Sequence, residues 1–174
     1  VVETLHRGAL HPGAREVAVA VEVLEKTELY VVAVWRRVMM LIWRGQIRAM
    51  GVDRSQSLFR AWVHERPGPA ALLVVVPRQP PGPPDEETRA SMVRASEDPP
   101  AALAGTATLL EAHGFIAATV RSILSRVYQR HARGLAVKVF CAPDEAALWA
   151  AELLADPAIT PEGLAGAIRA AREG

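Results

Sequence analysis

Cys141 and His113 are the two side chains whose pairing would carry the sharpest chemistry. A thiol within hydrogen-bond reach of an imidazole is a nucleophile beside its base, and Asp85 or Asp144 could orient the ring. No flanking signature accompanies Cys141, so the plainer reading is a small buried cysteine and a turn histidine before Gly114. A metal site needs ligands at fixed spacing. His6, His11, His64, His113 and His131 are scattered, and one cysteine cannot supply a multi-cysteine zinc site. Gly163-Leu-Ala-Gly166 lacks the strand and lysine of a phosphate loop and reads as helix packing. Trp35, Trp43, Trp62 and Trp149 fall on strands or apolar helix faces, where core anchoring outweighs ligand stacking. Arg36-Arg37 could meet an acidic partner but reads as a solvated turn, and Arg121, Arg126 and Arg130 as a solvated helix face.

These residues are positioned by a regular alternation of elements. An extended lead-in over 1–16 precedes a candidate edge strand at 17–24. Residues 29–35 and 38–43 are β-prone, broken by Arg36-Arg37 as a turn or bulge, with one long strand as the alternative. Leu58 with Trp62, and Phe59 with Val63, repeat at four and predict a helix over 53–63 capped by Asp53. The apolar run 71–76 predicts a strand buried on both faces. Asp85, Glu86 and Glu87 open a helix to about Ser96, where acidic groups suit the positive helix end. A strand over 103–110, a helix over 115–130 and a strand over 135–140 follow. Pro143 begins another helix, ended by Asp156-Pro157, and Thr160-Pro161-Glu162 begins a last one. The fold class is therefore α/β: one domain over 17–156, its mixed sheet antiparallel at the start and then built of strand–helix units, with a C-terminal helix over 157–174 packing on it.

In such sheets, ligands and partners meet the loops beyond the carboxyl ends of the parallel strands. Three of these loops, 77–85, 112–115 and 141–144, would bring Arg78, Asp85, His113, Cys141 and Asp144 toward one edge, each loop feeding a helix N-terminus, and the candidate partner-binding residues are Arg78, Asp85, Thr88, His113, Gly114, Phe115 and Asp144.

Composition narrows the function classes. The chain has 174 residues, 51% of them apolar, which suits a packed globule. A net charge of +1, from 20 basic and 19 acidic residues, gives no electrostatic case for nucleic acid or anionic lipid. The longest apolar stretch, 30–43, is interrupted by Arg36 and Arg37 and is too short to span a membrane. Residues 1–12 carry Glu3, His6 and Arg7 and do not read as a signal peptide. With a single cysteine, the expected location is cytoplasmic.

Several segments carry a family resemblance. They are Trp43-Arg-Gly45, Val74-Val-Val-Pro77, Ala107-Thr-Leu-Leu-Glu-Ala-His-Gly-Phe115, Ala117-Ala118-Thr-Val-Arg121, Val137-Lys-Val-Phe140 and Asp144-Glu-Ala-Ala-Leu-Trp149. In this order the chain resembles the small bacterial STAS-like proteins, relatives of the anti-sigma-factor antagonists, over about 28–154. The resemblance implies a mixed sheet flanked by helices, no catalytic activity, no cofactor and work through protein–protein contacts. Phosphorylated members carry a serine or threonine at the start of the helix after the central strand. Here 78–88 holds no serine, Thr88 is its nearest hydroxyl, and a phosphate beside Asp85, Glu86 and Glu87 would meet like charge.

The expected function is that of a non-enzymatic regulatory or scaffold domain binding another protein or itself, without the serine switch. The alternatives are a module for a small apolar or lipid-like ligand, suggested by Met39, Met40, Met50 and Met92, and, more remotely, a Cys/His hydrolase.

Overall fold

The chain makes its first tight reversal on two arginines. Strands β2 (Tyr30–Trp35) and β3 (Val38–Trp43) pair antiparallel, with Trp35 opposite Val38, so Arg36 and Arg37 alone form the loop. Arg36 has φ +54°, the left-handed conformation that two-residue hairpin loops demand to match strand twist. The two-strand alternative is thereby the correct one. Strand β1 (Glu22–Lys26) lies antiparallel on the other side of β2, with an irregular register between Val23 and Glu25. The Thr27 hydroxyl holds the β1–β2 turn by accepting from the Leu29 and Tyr30 amides at 3.2 and 3.0 Å. This computed structural model describes residues 20–77, 84–111, 122 and 135–173.

After β3 the sheet becomes parallel. Helix α1 (Ala49–Glu65) leads to β4 (Ala70–Val76), and α2 (Glu86–Glu97) leads to β5 (Leu103–Leu110). Strand β6 (Ala136–Phe140) follows, then α3 (Pro143–Leu154) and α4 (Pro161–Glu173). The six strands stand in chain order, β1 to β6, antiparallel from β1 to β3 and parallel from β3 to β6. The molecule is thus a single α/β domain with a mixed sheet and, among the described residues, four helices.

Alternation along the strands builds two cores, one on each face. Tyr30, Val32, Met39, Leu41, Trp43 and Leu72 meet Val52, Phe59 and Trp62 of α1. Val31, Ala33, Trp35, Met40, Ile42 and Leu109 meet α3 and α4 through Ala147, Trp149, Leu164 and Ile168. Because β2 and β3 are covered on both faces, every residue in them is buried, which explains their unbroken apolar character. All four tryptophans are core residues, as their placement on strands and apolar helix faces predicts.

Two glycines record how close the layers come. A Cβ on Gly51 would stand 2.6 Å from the Trp43 ring, so glycine lets α1 sit directly on β3. A Cβ on Gly163 would stand 2.8 Å from the Trp35 ring, which makes Gly163 a packing residue of α4. The sheet's outer strands carry charge: Glu22, Glu25 and Lys26 on β1, and Lys138 at the centre of β6. Charged, short and irregular edges discourage strand addition.

Candidate functional site

The parallel strands β3 to β6 all end at one rim of the sheet, and four chain segments leave them there. Three helices, α1, α2 and α3, start at this rim, and α4, which runs back along the sheet, ends at it.

Asp85 is the best-defined predicted residue here. It is the N-cap of α2, and its carboxylate accepts the Thr88 amide at 2.8 Å. Across the rim, the Arg48 guanidinium donates to it at 3.2 Å. Thr88's side chain and amide, and then Arg48, hold the Asp85 carboxyl below the usual carboxylate range. Such a group stays ionised and is a poor proton acceptor at neutral pH. Thr88 itself is completely buried. Its hydroxyl makes no hydrogen bond of good geometry, although it lies near enough to Asp85 to influence that carboxyl.

A second ionic knot ties the far side of the rim. Glu111, just beyond β5, pairs with Arg172 of α4 at 2.8 Å, and the Arg44 guanidinium donates to the Arg172 carbonyl at 2.6 Å. This closes the last turn of α4 onto the ends of β3 and β5. Arg44, Arg48, Glu111 and Arg172 were not singled out by residue type. Their positions directly after strands or at helix ends were the available signal, since those positions share the rim.

Asp144 stands exposed in the first turn of α3, with Pro143 at the helix start as predicted. Cys141 is half-buried between β6 and that helix. Arg78, His113, Gly114 and Phe115 lie outside the described residues, as do the lead-in 1–16 and, apart from Ser122, the segment 115–130. Asp85 and Thr88 therefore form one capping unit at the rim, and Asp144 is an exposed carboxylate on another helix. Among the described residues, no three His, Cys, Asp or Glu side chains group as metal ligands, and no helix is long and apolar enough to cross a membrane.

A shallow groove of about 320 Å³ lies at the opposite rim between Val21, Glu22, Val34, Arg36, Trp62 and Arg66. The four methionines do not converge on it. Met39 and Met40 are fully buried on opposite faces of β3, while Met50 stands in solvent on α1.

On the described helices, two large apolar side chains stand outside. Met50 of α1 is 68% exposed and Leu148 of α3 is 62% exposed. Leu148 lies one position before buried Trp149, about 100° around the helix and outside the buried face. No protein-family model, curated protein or solved structure matches the chain.

Proposed function

We propose that this chain is a non-enzymatic, STAS-like regulatory or scaffold domain that acts by binding another protein. The observation that carries the reading is the placement of Met50 and Leu148. Both cores are filled by tryptophan, phenylalanine and aliphatic side chains, yet these two residues remain in water on helices covering opposite faces of the sheet. Large apolar side chains held on outer helix faces suit docking against another surface.

Two further features support it. The mixed sheet flanked by helices is the architecture that the family resemblance implies. At the strand-end rim, Asp85 with Arg48 and Glu111 with Arg172 are engaged with each other. Groups so engaged serve the fold and are not poised toward a substrate. The burial of Thr88 also argues for binding without phosphorylation at that hydroxyl.

The test is crosslinking of the full chain in its native cytosol, read by mass spectrometry, with sedimentation of the purified chain beside it. The expected result is intermolecular crosslinks to a defined protein, reduced in Met50→Glu or Leu148→Glu variants. Intramolecular crosslinks alone, from a monomer in both settings, would overturn the proposal. A co-purified lipid or other small apolar molecule in stoichiometric amount would replace it with the ligand-binding reading.

A further inference from the structure

The outer face of α3 sets exposed carboxylates around an exposed leucine. Elsewhere, seven described carboxylates are matched to arginines of the same chain: Asp156 with Arg36, Asp85 with Arg48, Glu25 with Arg54, Asp98 with Arg60, Glu22 with Arg66, Asp53 with Arg94 and Glu111 with Arg172, while Glu86 and Glu87 of α2 are exposed and join none of these pairs. On α3, Asp144, Glu145 and Glu152 are all exposed, and none of them pairs with a cation among the described residues.

Their spacing places them around one apolar residue. Asp144 and Glu145 lie four and three positions before Leu148, and Glu152 lies four after it. Residues at these separations are neighbours on a helix surface. The solvent face of α3 is therefore an exposed leucine bordered by three uncompensated negative charges. The opposite face, through Ala146, Ala147, Trp149 and Ala150, is locked into the core, so the platform is rigid.

The geometry points to this face as the docking surface for a basic amphipathic helix of another protein, with an apolar stripe that covers Leu148 and flanking Lys or Arg that meets the three carboxylates. The inference rests on the protein-binding reading and names its surface. Charge complementarity selects the occupant: burying Leu148 brings the three carboxylates beside the partner, which is favourable only if the partner supplies cations. A second copy fits less well. Four of its arginines, Arg54 and Arg60 on α1 and Arg48 and Arg66 at that helix's two caps, are each already engaged with a carboxylate of their own chain. Pairing through the β6 edge is opposed by Lys138 at the strand's centre, which a two-fold antiparallel pairing would set against its own copy.

The probe is a fluorescent 18-residue helical peptide with a leucine stripe bordered by Lys and Arg, compared with the same peptide carrying Glu in place of the basic residues. Binding to the full chain is read by anisotropy at low and high salt, and its location by amide chemical shifts. The basic peptide is expected to bind, to shift α3 amides and to weaken with salt, while the acidic peptide does not bind. Leu148→Ala should weaken binding by roughly tenfold or more, as loss of a buried leucine side chain implies. Glu145→Gln with Glu152→Gln should weaken it and flatten its salt dependence. Both variants lie on solvent and should keep the fold, which the amide spectrum checks.

Failure of the basic peptide to bind, unchanged binding by Leu148→Ala, or shifts located away from α3 would overturn the inference. So would a concentration-dependent dimer abolished by Leu148→Ala, which would assign the face to a second copy. If native-cytosol crosslinks to a protein persist in Leu148→Ala, this surface is wrong and the broader binding reading survives.

Discussion

Arg37 carries more structure than a turn residue ordinarily does. Its guanidinium donates to the carbonyls of Arg66 at 2.6 Å, Pro69 at 2.9 Å and Gly68, and lies 5.1 Å from the centre of the Trp62 ring. These carbonyls belong to the exit of α1, where the chain turns toward β4. One side chain on the β2–β3 loop thus fixes the next crossover. Arg37→Ala should cost about 2 kcal/mol by removing charged hydrogen bonds, and Arg37→Lys should recover only part, because an ammonium lacks the planar fork. Urea unfolding midpoints of the two variants check this. A second residue-scale effect depends on pH. Burial, and then the adjacent Glu25 carboxylate, pushes the Tyr30 phenol up to about 12, while the Tyr30 hydroxyl at 2.6 Å and Arg54 lower the Glu25 carboxyl. A raised phenol pKa contributes stability that is complete below the ordinary value near 10 and is lost as pH rises through about 12. The lowered Glu25 contributes in the opposite sense, with stability present above the ordinary carboxylate range and lost as acid titrates the folded form. Tyr30→Phe should flatten the alkaline limb of a stability–pH profile and also remove the support that keeps Glu25 ionised in acid. Asp85 was legible as a helix-start residue because capping is local. Arg37 was read as a solvated tip because its acceptors lie some thirty positions away in the chain.

At the scale of elements, most boundaries followed from local chemistry, and the departures have physical causes. Strand β5 occupies 103–110 as its alternation predicts, and β4 differs by one residue. Helix α1 begins four positions before the expected Asp53, with Arg48 as N-cap and no side-chain cap. The start is set by packing: Gly51 fits beneath Tyr30 and Trp43, Ala49 is buried, and Asp53, one turn inside, receives the Ser91 hydroxyl of α2 instead. Strand β1 lies at 22–26, beyond the centre of the expected 17–24, because its register is dictated by the Thr27 turn and pairing with β2. Leu148 is exposed although its neighbours along α3 are mostly apolar, because the tryptophan beside it takes the inward position. Two changes test this level. Gly51→Ala should destabilise by about 1–3 kcal/mol, since the new methyl overlaps the Trp43 ring against a rigid backbone. Ala155→Gly should stabilise by about 0.5–1 kcal/mol. Ala155 ends α3 with φ +49°, where glycine carries no Cβ penalty, and its amide already bonds back to the helix. Thermal unfolding of each variant gives the sign directly.

For the whole molecule, α4 is the element that joins the end of the described chain to its beginning. Leu164, Ala167, Ile168 and Ala171 are buried against the same core as Val31, Ala33 and Trp35 of β2. Its last turn is held by Arg44 and Glu111, and its first by Gly163 against Trp35. Ending the chain at Asp156 should therefore do more than remove a surface helix. It should uncover one face of two strands that are otherwise wholly buried, giving dye-accessible apolar surface, broadened unfolding and aggregation at micromolar concentration. Removal of an exterior helix would leave a sharp transition. The layered α/β class was legible from alternation alone. Which face each helix covers was not, because that depends on how α3 and α4 return across a sheet whose strands had already been placed.

The strand order adds a consequence in time. Because neighbours in the sheet are neighbours in the sequence, a chain emerging from the ribosome can add each strand to the one before it. The face bearing Trp35 is nevertheless completed last, when Leu164 and the turns around it arrive. At ordinary rates of synthesis, that interval is on the order of ten seconds. During it, a ribosome-bound chain offers chaperones, or its own neighbours on a polysome, a broad apolar face that the finished molecule never shows.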